Sequence, residues 1–303
     1  MTTELPDSST TSADGGLAVF AALKPRLFAM AYRMLGTRAD ADDVVQDAWL
    51  RWHGADKAAL QSAEAWLVTV VTRLAIDRLR SAKVERAAYQ GNWLPEPLVE
   101  AEESQTPESL AELASDVSMA FMLVLERLQP EERAAFLLRQ AFDRDYDEIA
   151  LLLGKSEAAC RQIVHRASLR VQQDRPRFEV PKDTHRRLLE KFVAAARSGE
   201  RAAIEALLGD DVQAISDGGG RVSASPKVLR GVHRIANMYV AVLNKYPGQV
   251  VYRFVQINGE RGLLRYVSGE LESAQSFVTD GERIVSIHMM RNPDKLAGIP
   301  STP

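Results

Sequence analysis

The chain has a single cysteine and no long apolar run, and both absences narrow what it can be. Among its 303 residues Cys160 stands alone, which excludes intramolecular disulfides and zinc sites built from several cysteines. No run of about 18 apolar residues occurs, so no membrane-spanning helix is predicted. The first residues, MTTELPDSSTTSADGG, lack the basic segment followed by an apolar core that a secretory signal requires. We therefore expect a cytoplasmic protein with a disordered polar tail over residues 1–16.

Charge is low in total but uneven along the chain. The formal net charge is -3, yet residues 91–118 hold seven acidic residues and no Lys or Arg, whereas residues 154–177 hold six Lys or Arg against two acids. A local basic segment attracts phosphate groups whatever the total charge is, so this asymmetry points to nucleic acid. A solvated helix face is the alternative explanation of the basic segment.

The spacing of apolar residues divides the first part of the chain into two helical domains. Helical spacing predicts an all-α domain over residues 17–90 and a second one over residues 113–175. The acidic, proline-containing residues 91–112 between them predict a linker, with local anchors at Trp93 and Leu94. This linker is either a solvated spacer or, because it is acidic, an electrostatic mimic of a polyanion.

Beyond the boundary segment RPRFEVP the pattern changes from helical to mixed. Two helical stretches accompany five strand-like runs, which Gly, Asn-Gly and Asp-Gly turns separate. This order predicts an α+β domain over residues 182–296, with helices packed on one face of a curved antiparallel sheet. Residues 297–303 are predicted to be a tail.

A helix-turn-helix pattern lies in DYDEIALLLGKSEAACRQIVHRASLRV. Asp145 with Glu148 three residues on is typical of a capped helix start, Gly154 ends that helix, and Ser156 can cap the next. In the second helix, spacing of three and four residues puts one set of small and apolar residues on one face: Cys160, Ile163, Val164, Ala167 and Val171. The opposite face is polar and basic. Because Arg can pair with guanine and Gln with adenine, such a helix suits the DNA major groove, and an ordinary helical hairpin is the alternative.

Two further patterns occur in the first helical domain. TRADADDVVQDAWLRW buries its apolar residues and leaves an acidic stripe outside, which should face a basic protein rather than phosphates. Further on, Arg73, Asp77 and Arg80 form one helical stripe, followed by Lys83 and Arg86. Basic side chains beside Trp66 could hold a nucleic-acid backbone while a base is turned out of the stack, and core packing is the alternative for Trp66.

These patterns together resemble a known family. AYRMLGTRADADDVVQDAWLRW, then AWLVTVVTRLAIDRLRS, then LQPEERAAFLLRQAFDRDYDEIALLLGKSEAACRQIVHRA resemble the two domains of bacterial extracytoplasmic-function sigma factors, over about residues 17–172. The resemblance implies a polymerase-binding surface for the β′ coiled coil, formed by Asp42, Asp43, Gln46 and Asp47. It implies contacts to the −10 promoter element by Trp66, Arg73, Asp77, Arg80 and Lys83. It implies contacts to the −35 element by Ser156, Glu157, Arg161, Gln162, His165 and Arg166.

The rest of the chain resembles the SnoaL-like fold, a cone of curved antiparallel sheet closed by helices. WLPEP, DGGGR and NPDKL are similar to signatures of the sigma-factor group that carries this domain, although Lys is the usual residue where Arg221 stands. The glycines permit close approach of another chain segment, so DGGGR could dock on the sigma domains or on the linker. The alternative is a pair of tight turns. The resemblance implies a regulatory interface of Trp93, Leu94, Pro95, Asp217, Gly218, Gly219, Gly220, Arg221, Asn292, Pro293, Asp294 and Lys295.

The predicted function is therefore that of a promoter-specificity subunit of RNA polymerase. Its expected partners are core polymerase, through the β′ coiled coil and the β flap, and promoter DNA, with an unidentified small ligand in the cone. The resemblance implies that the linker passes near the active centre and RNA exit path, and that the fused domain replaces a separate anti-sigma factor. Two alternatives stay open: a stand-alone helix-turn-helix regulator with a ligand-sensing domain, and an enzyme fusion acting through Asp217, His233 and His288. We expect no catalysis, cofactor or metal.

Overall fold

The computed structural model describes residues 8–100, 118–174 and 180–302, and these form two compact units. The first unit comprises the described residues within Met1–Ala82 together with Leu128–Ser168. The second comprises the described residues within Lys83–Arg127 and Leu169–Pro303. No helix among the described residues is both long enough and apolar enough to cross a membrane.

Apart from the short strand β1, the elements follow the predicted order of helices first and a sheet afterwards. In chain order they are α1 (Ser8–Leu35), α2 (Arg38–His53), α3 (Ala63–Ala87), β1 (Val99–Glu100), α4 (Met119–Leu125), α5 (Pro130–Ala141), α6 (Tyr146–Leu153), α7 (Glu157–Asp174), α8 (Lys182–Ser198), α9 (Arg201–Glu205), β2 (Leu208–Asp217), β3 (Leu229–Arg230), α10 (Val232–Lys245), β4 (Val250–Ile257), β5 (Glu260–Val267), β6 (Glu270–Thr279), β7 (Ile284–Met290) and α11 (Pro293–Leu296).

The first unit is all-α, and polar contacts to the backbone of α1 help to hold it together. Arg133 of α5 is buried, and its Nη1 donates to the carbonyl oxygen of Met34 at 2.6 Å. The indole Nε1 of Trp52 donates to the carbonyl oxygen of Gly16 at 2.8 Å. This contact lies inside the segment that the sequence predicted to be a disordered tail over residues 1–16. That prediction is wrong for its described part, because α1 begins at Ser8.

The second unit contains a mixed sheet with the strand order β1-β4-β5-β6-β7-β2-β3. Neighbouring strands are antiparallel except β2 and β7, which run parallel with Ile215 opposite His288. The prediction of an α+β domain is confirmed, and the sheet that was predicted to be antiparallel contains this one parallel pair. Alternation of apolar and polar residues reports which face a side chain occupies, and it carries no information on strand direction.

Each face of this sheet packs against a separate apolar cluster. The cluster on the helix side includes Phe192 of α8, Tyr239 of α10 and Phe277 of β6. The ring centroid of Phe192 lies 5.0 Å from that of Tyr239 and 5.5 Å from that of Phe277. The cluster on the other face includes the linker residue Leu94 together with strand residues such as Tyr266. Aromatic packing therefore fills the space between the helices and the sheet.

The ends of the second unit differ from the domain boundaries predicted from sequence. Val99 of the predicted linker pairs with Ile257, so the linker contributes strand β1 to the sheet. The amide of Leu271 donates to the carbonyl oxygen of Ser301 at 3.0 Å, and Ile299 packs on the cluster of Leu94. The predicted tail over residues 297–303 is thus tied to the domain through Ser301. Residues 101–112 of the predicted linker lie outside the described residues.

Helix α4 also belongs to the second unit, although the sequence placed residues 113–175 in one domain. Leu123 of α4 packs against the apolar cluster of Leu94, and Glu126 just beyond the helix forms an ion pair with Arg86. Because both contacts are to residues distant in sequence, helical periodicity within residues 113–175 could not reveal them.

His288 is a buried histidine on the sheet face opposite the helices. Its Nε2 lies 3.1 Å from Ser286 Oγ and its Nδ1 lies 3.4 Å from Ser276 Oγ. Burial lowers the pKa of His288 to about 4, because the charged imidazolium is poorly solvated there. Between that value and the unfolded pKa near 6.5, the unfolded chain binds more protons than the folded one, so stability falls as the pH falls through this window.

We expect His288→Asn to flatten the acid dependence of stability. Relative to the variant, the wild-type chain should lose up to about 3 kcal/mol of unfolding free energy between pH 6.5 and pH 4. Denaturant unfolding at several pH values measures this difference. His233→Asn is the matched control, because His233 is exposed. Parallel pH profiles for wild type and His288→Asn would show that the histidine is not held neutral.

Candidate functional site

The helix-turn-helix is formed by α6 and α7, with the caps that the sequence predicted. The amide of Asp145 donates to Glu148 Oε2 at 3.0 Å, and Gly154 ends α6 with φ 64°. Ser156 Oγ accepts from the amide of Ala159 at 3.3 Å. The predicted inner face of α7 is buried, and its outer face exposes Glu157, Arg161, Gln162, His165 and Arg166. The residues proposed for the −35 element therefore share one exposed surface.

Arg161 is held from two directions. Its Nη2 donates to Glu157 Oε2 at 2.6 Å, one helical turn earlier. The guanidinium carbon lies 4.7 Å from the centroid of the Tyr146 ring on α6, and the guanidinium carbon of Arg139 lies 5.1 Å from the same centroid. Sequence analysis missed Tyr146, because its neighbours come from two other helices.

Helix α2 presents the predicted acidic stripe to solvent. Asp42, Asp43, Gln46 and Asp47 are all exposed, while the apolar residues between them are buried. Leu50 is 62% exposed, although it is a large aliphatic residue. It lies three residues after Asp47 and seven after Asp43, which places it on the same stripe. Sequence analysis missed Leu50, although this helical spacing is visible in the sequence.

Helix α3 exposes Arg73, Asp77, Arg80 and Lys83, the basic stripe expected to contact the −10 element. Arg80 Nη1 donates to Asp77 Oδ1 at 3.3 Å, and its Nη2 donates to Glu131 Oε1 at 2.8 Å. Trp66 is half-buried, with its ring centroid 5.7 Å from that of Trp52. Trp66 therefore packs in part, as the alternative explanation required, and keeps part of its ring accessible.

Glu131 forms ion pairs with two cations of the first unit, Arg80 on α3 and Lys155 in the turn between α6 and α7. Besides Arg80, its carboxylate contacts Lys155 Nζ at 3.0 Å, in the turn just before Ser156. The hydrogen bond from Lys155 and that from Arg80 hold the pKa of Glu131 below its usual range. Glu131 is separated from Arg80 by 51 residues, so no local sequence signal could identify it.

Asp217 is a fully buried carboxylate in which the three signature segments meet. Its Oδ1 accepts from the hydroxyl of Tyr89 at 2.6 Å, and its Oδ2 accepts from the backbone amide of Leu94 at 2.9 Å. Lys295 Nζ lies 2.8 Å from Oδ2 and completes a buried ion pair. We call this group of Asp217, Lys295, Tyr89 and Leu94 the linker latch.

Lys295 also contacts the linker directly. Its Nζ donates to the carbonyl oxygen of Leu94 at 2.6 Å and lies 4.2 Å from the centroid of the Trp93 ring, over which Arg86 also lies at 3.8 Å. Burial lowers the pKa of Lys295, and the charge of Asp217 opposes that shift. Burial, followed by the hydrogen bond to Asp217, raises the pKa of Tyr89. The raised pKa keeps Tyr89 neutral, so that its hydroxyl can donate to Asp217.

Two glycines of DGGGR are required because other segments approach them closely, NPDKL at Gly219 and Gln90 at Gly220. Gly219 and Gly220 have positive φ values of 61° and 70°. A Cβ at Gly219 would overlap the side chain of Asn292, and a Cβ at Gly220 would overlap that of Gln90. Asn292 Nδ2 in turn donates to the Tyr89 hydroxyl at 2.9 Å. The observed contacts of this loop are to both predicted segments, to Tyr89 and Gln90 at the end of residues 17–90 and to Leu94 in the linker.

The remaining interface residues divide between the latch and the surface. Leu94 and Pro95 are buried, and Leu94 belongs to the second apolar cluster. Arg221 instead pairs with Asp294 at 3.2 Å, and both side chains are more than 60% exposed. Arg221 therefore forms an exposed ion pair that joins DGGGR to NPDKL.

The three candidate catalytic residues have different partners. Asp217 is occupied by the latch, and His288 lies between two serine hydroxyls. His233 is exposed, with Nδ1 2.8 Å from Glu205 Oε1. Among the hydrogen bonds that the structure describes for these residues, none joins two of the three.

Two family models match the helical domains. The model described as Sigma-70 region 2 matches residues 19–84, and the one described as Sigma-70, region 4 matches residues 118–171. The two matches define the class of protein, a sigma factor of the sigma-70 type.

Curated relatives narrow this class. The chain is 35% identical over 294 residues to the ECF RNA polymerase sigma factor SigJ of Mycobacterium tuberculosis strain H37Rv, covering 93% of each chain. It is 27% identical to the probable ECF sigma factor SigI of the same strain, covering 92% of this chain and 94% of SigI. A crystal structure of SigJ matches with a TM-score of 0.77 and 32% identity, over 94% of this chain and 100% of that one. The chain therefore belongs to the ECF RNA polymerase sigma factors.

We expect Asp217→Asn to destabilise the second unit by about 3 kcal/mol, because it leaves the ammonium of Lys295 buried without a counter-charge. Denaturant unfolding measures the loss, and hydrogen exchange of the amides over residues 89–98 should become faster. Asp294→Asn is the matched control, since Asp294 forms only an exposed pair and should change stability by less than about 0.5 kcal/mol. Equal effects of the two variants would contradict a special role of the latch.

Proposed function

We propose that this sigma factor binds core polymerase through the acidic stripe of α2, reads promoter DNA through α3 and α7, and is regulated by its C-terminal domain through the linker latch. As an ECF sigma factor, the chain directs promoter-specific transcription initiation and binds core polymerase and promoter DNA. Such a protein would act in the cytoplasm, where the polymerase is.

We infer the polymerase-binding surface from the exposure and the charge of side chains on α2. Asp42, Asp43 and Asp47 are exposed on one side of α2 beside the aliphatic Leu50. An acidic stripe repels DNA phosphates and attracts a basic protein surface, and an exposed aliphatic side chain supplies the apolar contact that interfaces bury. We propose the β′ coiled coil as the partner of this stripe and the β flap as a partner of the helices after Leu128.

We infer the promoter-binding surfaces from the types of residue that α3 and α7 expose. Arg161 and Gln162 on α7 carry the donors that pair with guanine and adenine in a major groove, and Ser156, His165 and Arg166 lie around them. The basic residues of α3 would contact the −10 element, where the accessible part of Trp66 offers a stacking surface. The helix-turn-helix geometry supports α7 as the reader of the −35 element.

The regulatory proposal rests on one observation, that Asp217 binds the linker and Lys295 together in a buried site. Residues 91–100, the described part of the linker that is expected to pass near the active centre of polymerase, are in this state bound to the C-terminal domain. Release would break the hydrogen bonds between Leu94 and the Asp217–Lys295 pair and expose the apolar side chain of Leu94, so new contacts in the polymerase complex have to compensate. Because the domain is covalently attached, it acts at high effective concentration, as a separate anti-sigma factor would not.

We further propose that the C-terminal domain is regulatory rather than catalytic. Its candidate acid–base residues have separate partners, and Phe192, Tyr239 and Phe277 pack together inside the cone. A small ligand in the cone would therefore have to displace packed aromatic rings. We expect polymerase and DNA, rather than a substrate, to be the molecules that change the state of this domain.

We expect Asp42→Lys combined with Asp43→Lys to weaken binding of the full chain to core polymerase by at least about tenfold, with a reduced dependence on salt. The change replaces attraction to a basic surface by repulsion. Binding of the labelled chain to core polymerase at low and high salt measures it. Asp210→Lys combined with Asp211→Lys is the matched control, because these two neighbouring aspartates are exposed on β2. Unchanged affinity of the first variant would exclude the stripe as the polymerase contact.

We expect Asp217→Asn to raise run-off transcription several-fold when core polymerase is limiting, because the linker is released more easily. Chains ending after Pro181 should give less transcript than Asp217→Asn, since we propose that DGGGR and NPDKL also assist the polymerase-bound state and these chains lack both. Asp294→Asn again serves as the control. Transcript yields that are the same for all four chains at every protein concentration would contradict regulation through the latch.

A further inference from the structure

The ring of Tyr146 is the point at which cations from two other helices converge beside the proposed recognition surface. Tyr146 opens α6, Arg161 lies on the exposed face of α7, and Arg139 lies near the end of α5. Both guanidinium carbons lie about 5 Å from the ring centroid, within the distance of about 6 Å at which a cation is attracted to an aromatic face.

This ring restrains a side chain that would otherwise be mobile. Arg161 is 58% exposed, and an exposed arginine samples many rotamers that it must give up when it binds a partner. Here the carboxylate of Glu157 accepts from Nη2, and the ring of Tyr146 faces the guanidinium. The two contacts act on different parts of the same group, so together they restrict both its position and the orientation of its plane.

We propose that Tyr146 is a positioning residue for base recognition by Arg161. Paired hydrogen bonds to guanine require the guanidinium plane to lie close to the plane of the base, so an arginine whose plane is already restrained binds the correct base with a smaller loss of freedom. The aromatic ring supplies this restraint, and the hydroxyl does not take part. The inference rests on the proposed function of α7, and it adds Tyr146 of α6 to the residues that determine base recognition.

The carboxylate of Glu157 gives the same arrangement a further consequence. An arginine paired with a carboxylate is less attracted to phosphates in general, because part of its charge is already balanced. Its guanidinium can still donate directed hydrogen bonds to a base edge, where the direction of the bonds matters more than net charge. The surroundings of Arg161 therefore favour discrimination between bases over general affinity for DNA.

The experiment compares Tyr146→Leu, Tyr146→Phe and Arg161→Lys in the full chain bound to core polymerase. The template is a promoter selected by the wild-type holoenzyme from a DNA library, together with single base-pair substitutions at each −35 position. The readout is the ratio of transcription from the selected promoter to that from each substituted one. Tyr246→Leu is the matched control, because Tyr246 also has a cation over its ring, from Lys245 at 5.2 Å, but lies in the C-terminal domain.

We expect Arg161→Lys to lower the ratio at one base pair. Tyr146→Leu should lower the ratio at that same base pair by about two- to fivefold, while Tyr146→Phe and Tyr246→Leu leave it unchanged. Transcription from the remaining substituted promoters should change in parallel with the selected one. Thermal unfolding of the four variants checks that each is folded at the assay temperature.

The other outcomes separate this inference from the proposed function. If Arg161→Lys alters no ratio, the assignment of Arg161 to base reading fails. If Arg161→Lys alters a ratio and Tyr146→Leu does not, only the positioning role fails. Equal losses in Tyr146→Phe and Tyr146→Leu would assign the effect to the hydroxyl and overturn the role of the ring. A uniform loss on all templates in Tyr146→Leu would mean a structural or phosphate-binding role, which also overturns it.

Discussion

The C-terminal part of this sigma factor depends on a buried ion pair between Asp217 and Lys295. Two charges removed from water are unfavourable unless nearby donors and acceptors satisfy the rest of their hydrogen-bonding capacity. The linker provides the backbone amide and carbonyl of Leu94, and Tyr89, just before the linker, provides its hydroxyl. The sheet, the linker and the final helix are therefore folded around one electrostatic requirement, and none of the three can satisfy it alone.

Most of the helical architecture could be predicted from sequence, because a helix displays its buried face as a period in the residues themselves. The inner face of α7, with Cys160 and Val171, and the exposed acids of α2 follow from spacing alone. The strands were also predictable from alternation and turns. The parallel pairing of β2 with β7 was not, because alternation does not encode which strand becomes a neighbour or in what direction.

Contacts between distant segments could not be predicted from periodicity. WLPEP, DGGGR and NPDKL were recognisable as motifs, yet only the fold brings Leu94, Asp217 and Lys295 to one point. Tyr146 and Glu131 had no motif at all, since their importance comes from partners on other helices. The segment named a linker has the composition of a spacer, and its strand pairing arises from a partner about 160 residues later in the chain.

Glu131 binds Arg80, which we assign to the −10 element, and Lys155, which adjoins the residues assigned to the −35 element. Elements about 25 base pairs apart are separated by about 80 Å along B-form DNA, far beyond the span of one carboxylate. Arg80 therefore has to leave Glu131 when both elements are bound as we assign them, whereas Lys155 lies in the same predicted domain as Glu131, residues 113–175, and can keep its ion pair. An exposed ion pair such as that of Arg80 is worth at most about 1 kcal/mol, so contacts with the promoter can offset its loss.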